Sequence, residues 1–341
     1  VRARDGINGQ NLMTSAPPSD AFEAARADTV HPAIAEHLAA ASADDGPSYR
    51  ELSLEEIREM DEESPLSEDL DIPVEHVEDR TVPGPDGDVP VRLYDSRTDR
   101  SRADPVIVYI HGGGWISGSI ETHNRICRNL TAETGYPVVS VGYRLAPEDP
   151  FPAGLRDCYA VLEWIATTDD VRGIDPERTV VMGDSAGGNL AAATALLARD
   201  RDGPDIAHQV LIYPAMGGAQ TTLAYRENSD GYGLTAEIMD VVYDRYTESD
   251  IDDANYYAWP RKSGDLSGLP PATILTAGFD PLRDVGALYA DQLRQAEVPV
   301  SFSNYPAMVH GFFAMIGDPV DVDPAHEAYE EIATKLRNQF D

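Results

Sequence analysis

The chain has 341 residues, is 42% hydrophobic and carries a net charge of −34, from 60 acidic and 26 basic residues. That length accommodates one large domain with a full core, and the charge argues against binding nucleic-acid phosphates, which needs a basic surface. Lys262 and Lys335 are the only lysines and acidic residues are spread along the whole chain, densest at 55–71 and 247–255; such a coat repels itself unless salt screens it, and points to a salt-adapted, halophile-type protein.

Residues 1–19 lack the apolar core of a signal peptide and are expected to be a disordered or leader segment, with Met13 a candidate start. Residues 20–63 read as two amphipathic helices, the second opening after Ser53 with SLEE, a capping-box pattern. The block 20–70 is therefore expected to form helices of a cap, and 71–341 the main domain. Within it, β-rich runs occur at 75–83, 89–96, 105–112, 136–145, 178–185, 209–216, 271–280 and 298–306. Several, such as VIVYI and TVVMG, are short continuous apolar runs, as expected for strands buried on both faces. Helix-like stretches follow the later runs, at 124–135, 154–168, 186–200, 284–297 and 324–340. This alternation predicts an α/β fold with a mostly parallel sheet covered on both sides. Residues 217–262, with a helical pattern at 235–247, interrupt it and read as a second piece of the cap. Cys127 and Cys158 fall on predicted helices with nothing to mark a bridge or a metal pair. No run of about 18 apolar residues exists, so no membrane span is expected and the chain reads as cytoplasmic.

In parallel sheets reactive groups gather at the carboxyl ends of the strands. Gly183-Asp184-Ser185-Ala186-Gly187 lies at such an end, between a strand and a helix, and matches the G-x-S-x-G pattern. A serine there must take a crowded backbone conformation to lift its hydroxyl above the sheet, and the flanking glycines relieve the conflict. The alternative is a turn serine without chemistry. A nucleophile needs a base, and the base an orienting acid. Of the downstream histidines, His208 opens a strand and belongs at the far end of the sheet, while His326 lies on the last amphipathic helix. His310 follows the last strand and is the candidate in reach. Asp280 ends a strand and is favoured as the acid; Asp284, in the first turn of the next helix, is its rival. His111-Gly112-Gly113-Gly114 follows the strand VIVYI. Its uncovered backbone N–H groups at Gly113 and Gly114, with that of Ala186, are candidate oxyanion donors. His111 reads as structural.

With these motifs, YRLAPEDPFPA (143–153), the long match over 266–300 and HGFF (310–313), the chain resembles the hormone-sensitive-lipase-like carboxylesterases of the α/β-hydrolase superfamily. The resemblance implies an eight-stranded, mostly parallel sheet with a helical cap, a Ser185–Asp280–His310 triad, and hydrolysis of small-molecule esters with no metal or organic cofactor. It also implies a monomer or homodimer, while the charge and the lack of an apolar span argue against a nucleic-acid or membrane partner. Other readings are a ligand-binding protein on the same fold, or an amide or lactone hydrolase using the same three residues.

Overall fold

In a computed structural model, the structure describes residues 25–41, 46–68, 70, 72–169 and 171–340. The leader expected over 1–19 lies outside them. The main domain is built on eight strands: β1 (His76–Gly84), β2 (Gly87–Asp95), β3 (Asp104–Ile110), β4 (Val138–Val141), β5 (Ile174–Asp184), β6 (His208–Ile212), β7 (Ala272–Phe279) and β8 (Val300–Val309). They form one sheet in the order β1-β2-β4-β3-β5-β6-β7-β8. β2 pairs antiparallel with β1 and β4, and every other pair is parallel.

The apolar runs split by strand alternation. Val106, Val108 and Ile110 of β3 belong to one core layer, whereas Ile107 and Tyr109 point into the other. The first layer is closed by α4 (Ala153–Thr167), α5 (Ala186–Asp200) and α9 (Arg283–Gln295). The second is closed by α3 (Asn124–Thr134) and α10 (Asp323–Phe340). Each Val, Leu or Ile taken fully out of water stabilises the fold by about 1.5–3 kcal/mol. The alanine-rich α5 is buried from Ala186 to Ala198. A helix apolar on all sides belongs inside, and its small side chains let neighbouring backbones approach closely.

The expected strand at 136–145 is shorter than its composition indicates. Pairing stops at Val141, and Gly142 turns its N–H to the carbonyl of Pro90. The chain then leaves the sheet to carry Tyr143 beneath the loop after β3, where its hydroxyl donates to the His111 carbonyl. Conversely, β8 runs to Val309, three residues past its predicted end.

The helices expected at the N-terminus are α1 (Pro32–Ala41) and α2 (Leu54–Glu62). Ser53 caps α2 through the reciprocal bonds with Glu56 that SLEE predicts. The 217–262 segment carries α6 (Leu223–Asn228), α7 (Ala236–Tyr246) and α8 (Asp250–Ala254). Cys127 and Cys158 are free and buried. Among the described residues no helix is long and apolar enough to cross a membrane.

Candidate active site

The strand order reverses between β3 and β5, because β3 is followed by β4 on one side and β5 on the other. At such a switch point the loops leaving the two strands separate and open a crevice at their carboxyl ends. The loop after β3 is HGGG and the turn after β5 is the serine elbow. The register aligns Ile110 with Gly183, so both leave the sheet at the same level.

Ser185 has φ 55° and ψ −117°, a strained conformation for a residue with a side chain. Its backbone is held on both sides, since its N–H donates to Ile212 and its carbonyl accepts from Asn189 and Ala215. Gly187 is required by a close approach: a Cβ there would overlap the carbonyl oxygen of Ile110. The next helix, α5, starts at Ala186 and directs its N-terminal partial positive charge at the serine.

Ser185 Oγ lies 2.8 Å from His310 Nε2, and His310 Nδ1 lies 2.8 Å from Asp280 Oδ2. Asp280 is fully buried, and its Oδ1 accepts the N–H of Leu282 at 2.7 Å. That bond aims Oδ2 at the imidazole. Asn228 donates its amide to the carbonyls of Gly278 and Asp280 and ties α6 to the end of β7. Asp284 stands apart, bonded to Arg283 Nε and to the backbone N–H of Ala224. His208 is buried at the start of β6 against Thr273, and His326 is exposed beside Asp321. The ring of Tyr213, held at φ 34°, packs 4.7 Å from the His310 ring and limits its rotation.

The HGGG loop is fastened from three directions. His111 is buried, stacked 4.2 Å from Tyr143, and donates Nδ1–H to the Gly112 carbonyl at 2.7 Å. Burial pushes its imidazole down to about 3, so it carries no charge at neutral pH. Trp115 stacks on Tyr246 at 4.2 Å and meets Trp259 edge-on, pinning the loop's far end. From beneath, Asp184 Oδ1 accepts from the Gly112 N–H at 3.0 Å and from the Tyr109 hydroxyl at 2.7 Å. His123 Nε2 lies 3.4 Å from the same carboxylate. Burial opposes the charge on Asp184, but His123 and Tyr109 outweigh it and hold the carboxyl below the usual range. Burial likewise opposes charge on His123, and Asp184 raises it above the usual imidazole value.

Sequence reasoning missed Asp184, His123, Tyr213 and Asn228. Asp184 was in view as the x of G-x-S-x-G; the other three carry no local signal, since their partners arrive from distant segments.

Gly113, Gly114, Ser185, Ala186 and His310 face one cavity of about 400 Å³. Met60 and Asp61 from α2, and Ile238, Met239, Val242 and Tyr243 from α7, close its sides. Gly113 sits at φ +105°, and a Cβ on it would collide with the Ser117 carbonyl. Among the described residues no group of three or more His, Cys, Asp or Glu could hold a metal ion. The arrangement suits acyl transfer: a hydroxyl in contact with an imidazole, a buried carboxylate on the far side of that imidazole, and the glycines of the loop after β3 lining the same cavity.

Comparison with known proteins gives the same picture. Residues 107–314 match the family model described as alpha/beta hydrolase fold. The carboxylesterase NlhH of Mycobacterium tuberculosis is 44% identical over 252 residues, 72% of this chain and 78% of that protein. An arylesterase of Saccharolobus solfataricus is 36% identical over 250 residues, 72% of this chain and 79% of that one. The solved structure of a hyperthermophilic esterase from Pyrobaculum calidifontis superposes with a TM-score of 0.84 at 38% identity, covering 91% of this chain and 98% of that one. With the switch-point crevice, the elbow serine and the glycine loop on one sheet edge, the chain belongs to the hormone-sensitive-lipase-like carboxylesterases of the α/β-hydrolase fold.

Proposed function

We propose that Ser185, His310 and Asp280 hydrolyse carboxylic esters through an acyl-enzyme. The unbroken run of two 2.8 Å contacts from hydroxyl to imidazole to carboxylate carries this reading. His310 Nε2 takes the Ser185 proton as Oγ attacks the ester carbonyl. Asp280 keeps the other imidazole proton on Nδ1 and stabilises the imidazolium that forms. The carbonyl oxygen, now negative, receives the N–H groups of Gly113, Gly114 and Ala186, assisted by the α5 dipole. His310 returns its proton to the departing alkoxide, and the alcohol leaves. Water then enters, His310 takes one of its protons as the oxygen attacks the acyl carbon, and His310 gives that proton to Ser185 Oγ as its bond to the acyl group breaks and the carboxylic acid leaves.

A cavity of about 400 Å³ lined by Leu234, Ile238, Met239, Val242 and Tyr243 suits short- to medium-chain acyl groups. The reading takes the enzyme as cytoplasmic, salt-adapted, and a monomer or homodimer. The relatives named esterase and carboxylesterase support the reaction class. Ser185→Ala tests it: turnover of p-nitrophenyl butyrate is expected to fall by about 10⁶, as when the serine of such a triad is removed. Activity retained in the pure variant would remove Ser185 from its role.

A further inference from the structure

One carboxyl group in the cavity wall has no part in the reaction above. Asp61, next to last in α2, places Oδ2 2.5 Å from Ser117 Oγ, and the same Oγ lies 2.9 Å from the Gly113 carbonyl oxygen. Three oxygens joined by two contacts need two protons, and a serine hydroxyl has one. If Asp61 were ionised, that proton would go to the carboxylate. Ser117 Oγ would then face the Gly113 carbonyl lone pair against lone pair at 2.9 Å. A proton on Asp61 satisfies both contacts.

The surroundings favour that proton. Asp61 is partly buried; Glu62 lies beside it and Arg58 one turn before it on α2, Arg58 donating to the Ile116 carbonyl next to Ser117, while His123 faces it from the loop before α3 and Tyr49 and Tyr143 lie within electrostatic reach. Burial, with help from Glu62, outweighs the Ser117 bond and His123 and raises the carboxyl above its usual range.

We propose that Asp61 is a positioning residue working as an un-ionised acid, donating to Ser117 Oγ so that Ser117 donates to the Gly113 carbonyl. That carbonyl shares a rigid peptide plane with the N–H of Gly114. The relay therefore lets helix α2 orient an oxyanion donor, and it rests on the role given to Gly114 above. Raising pH through the Asp61 titration removes the proton. Ser117 then turns to the carboxylate, and the Gly113 carbonyl keeps only the N–H groups of Ile116 at 3.2 Å and Ser117 at 3.0 Å. The donor loosens in the transition state, so kcat falls on the alkaline side while KM changes little.

The infrared difference between wild type and Asp61→Asn at neutral pH reads the proton directly. An un-ionised carboxyl C=O band is expected in wild type, shifted in frequency in Ser117→Ala. Carboxylate bands alone would overturn the proposal. Steady-state kinetics on a p-nitrophenyl ester supply the second readout. Asp61→Ala and Ser117→Ala are expected to lose roughly tenfold in kcat, less than the roughly 10²–10³ for a whole oxyanion donor. Asp61→Asn, whose amide can donate to Ser117 Oγ at every pH, is expected to retain more kcat than Asp61→Ala and to lack the alkaline decline. The same decline in wild type and Asp61→Asn would overturn the positioning role even if the band is present. The infrared result does not depend on turnover, so failure of the Ser185 reading and failure of this one are told apart.

Discussion

Asp280→Asn tests the orientation of the base more sharply than deletion does. In wild type Oδ1 accepts the Leu282 N–H at 2.7 Å and Oδ2 faces His310 Nδ1 at 2.8 Å. An asparagine has one oxygen. The Leu282 N–H demands that oxygen, so the amide NH₂ must take the place of Oδ2 and present a hydrogen to Nδ1. The imidazole can answer only with a lone pair at Nδ1, which moves its proton to Nε2, against Ser185 Oγ at 2.8 Å. It can then no longer accept the serine proton. The same exchange on this constellation costs about 10⁴ in kcat, or about 5.4 kcal/mol at 1.36 kcal/mol per decade. Initial rates with p-nitrophenyl butyrate over a range of concentrations are expected to show that loss in kcat, with KM within a few-fold, because the Asp280 carboxylate is buried behind the imidazole. A folded Asp280→Asn protein, matched to wild type in thermal midpoint, that keeps a tenth or more of kcat would refute the reasoning.

Gly113→Ala is expected to lower kcat by about 10²–10³, because the new Cβ meets the Ser117 carbonyl at a φ that side chains rarely adopt and displaces an oxyanion donor; kcat within about threefold of wild type would count against that placement. Burial pushes the His208 imidazole down to about 4, below its unfolded value near 6.5. The unfolded chain takes up this proton first, so stability is lost as pH falls from about 6.5 to about 4, by roughly 3 kcal/mol for this group. Urea midpoints at pH 7 and 4.5 are expected to fall less for His208→Gln than for wild type, and equal falls would reject the assignment. With 60 carboxylates against 26 cationic side chains, self-repulsion is expected to make the thermal midpoint rise from dilute buffer to molar KCl; identical midpoints would remove the case for salt adaptation.

What the chain determines by itself is the local part of the design. Short continuous apolar runs, such as 106–110, send alternate side chains into two core layers, so a sheet covered on both faces was legible before any contact was known. The place of Ser185 between strand and helix was legible because strand, glycine-flanked elbow and helix are consecutive, as was that of the glycine triplet after β3. Asp280 could be favoured over Asp284 from its place at a strand end, but the contacts that separate them could not be read. Both carboxylates lie near the end of one strand, and only the Leu282 N–H and the return of the chain after β8 aim the first at His310, while α6 draws the second to Ala224. Asp184, His123 and Asp61 became visible in their roles only in three dimensions. Asp184 takes the Gly112 N–H from 72 residues away, His123 backs that carboxylate, and Asp61 reaches the loop through Ser117, and buried polar groups take their meaning from the partners that satisfy them. Periodicity records which face of an element is apolar, but hydrogen-bond partners are chosen by the packing that brings those faces together.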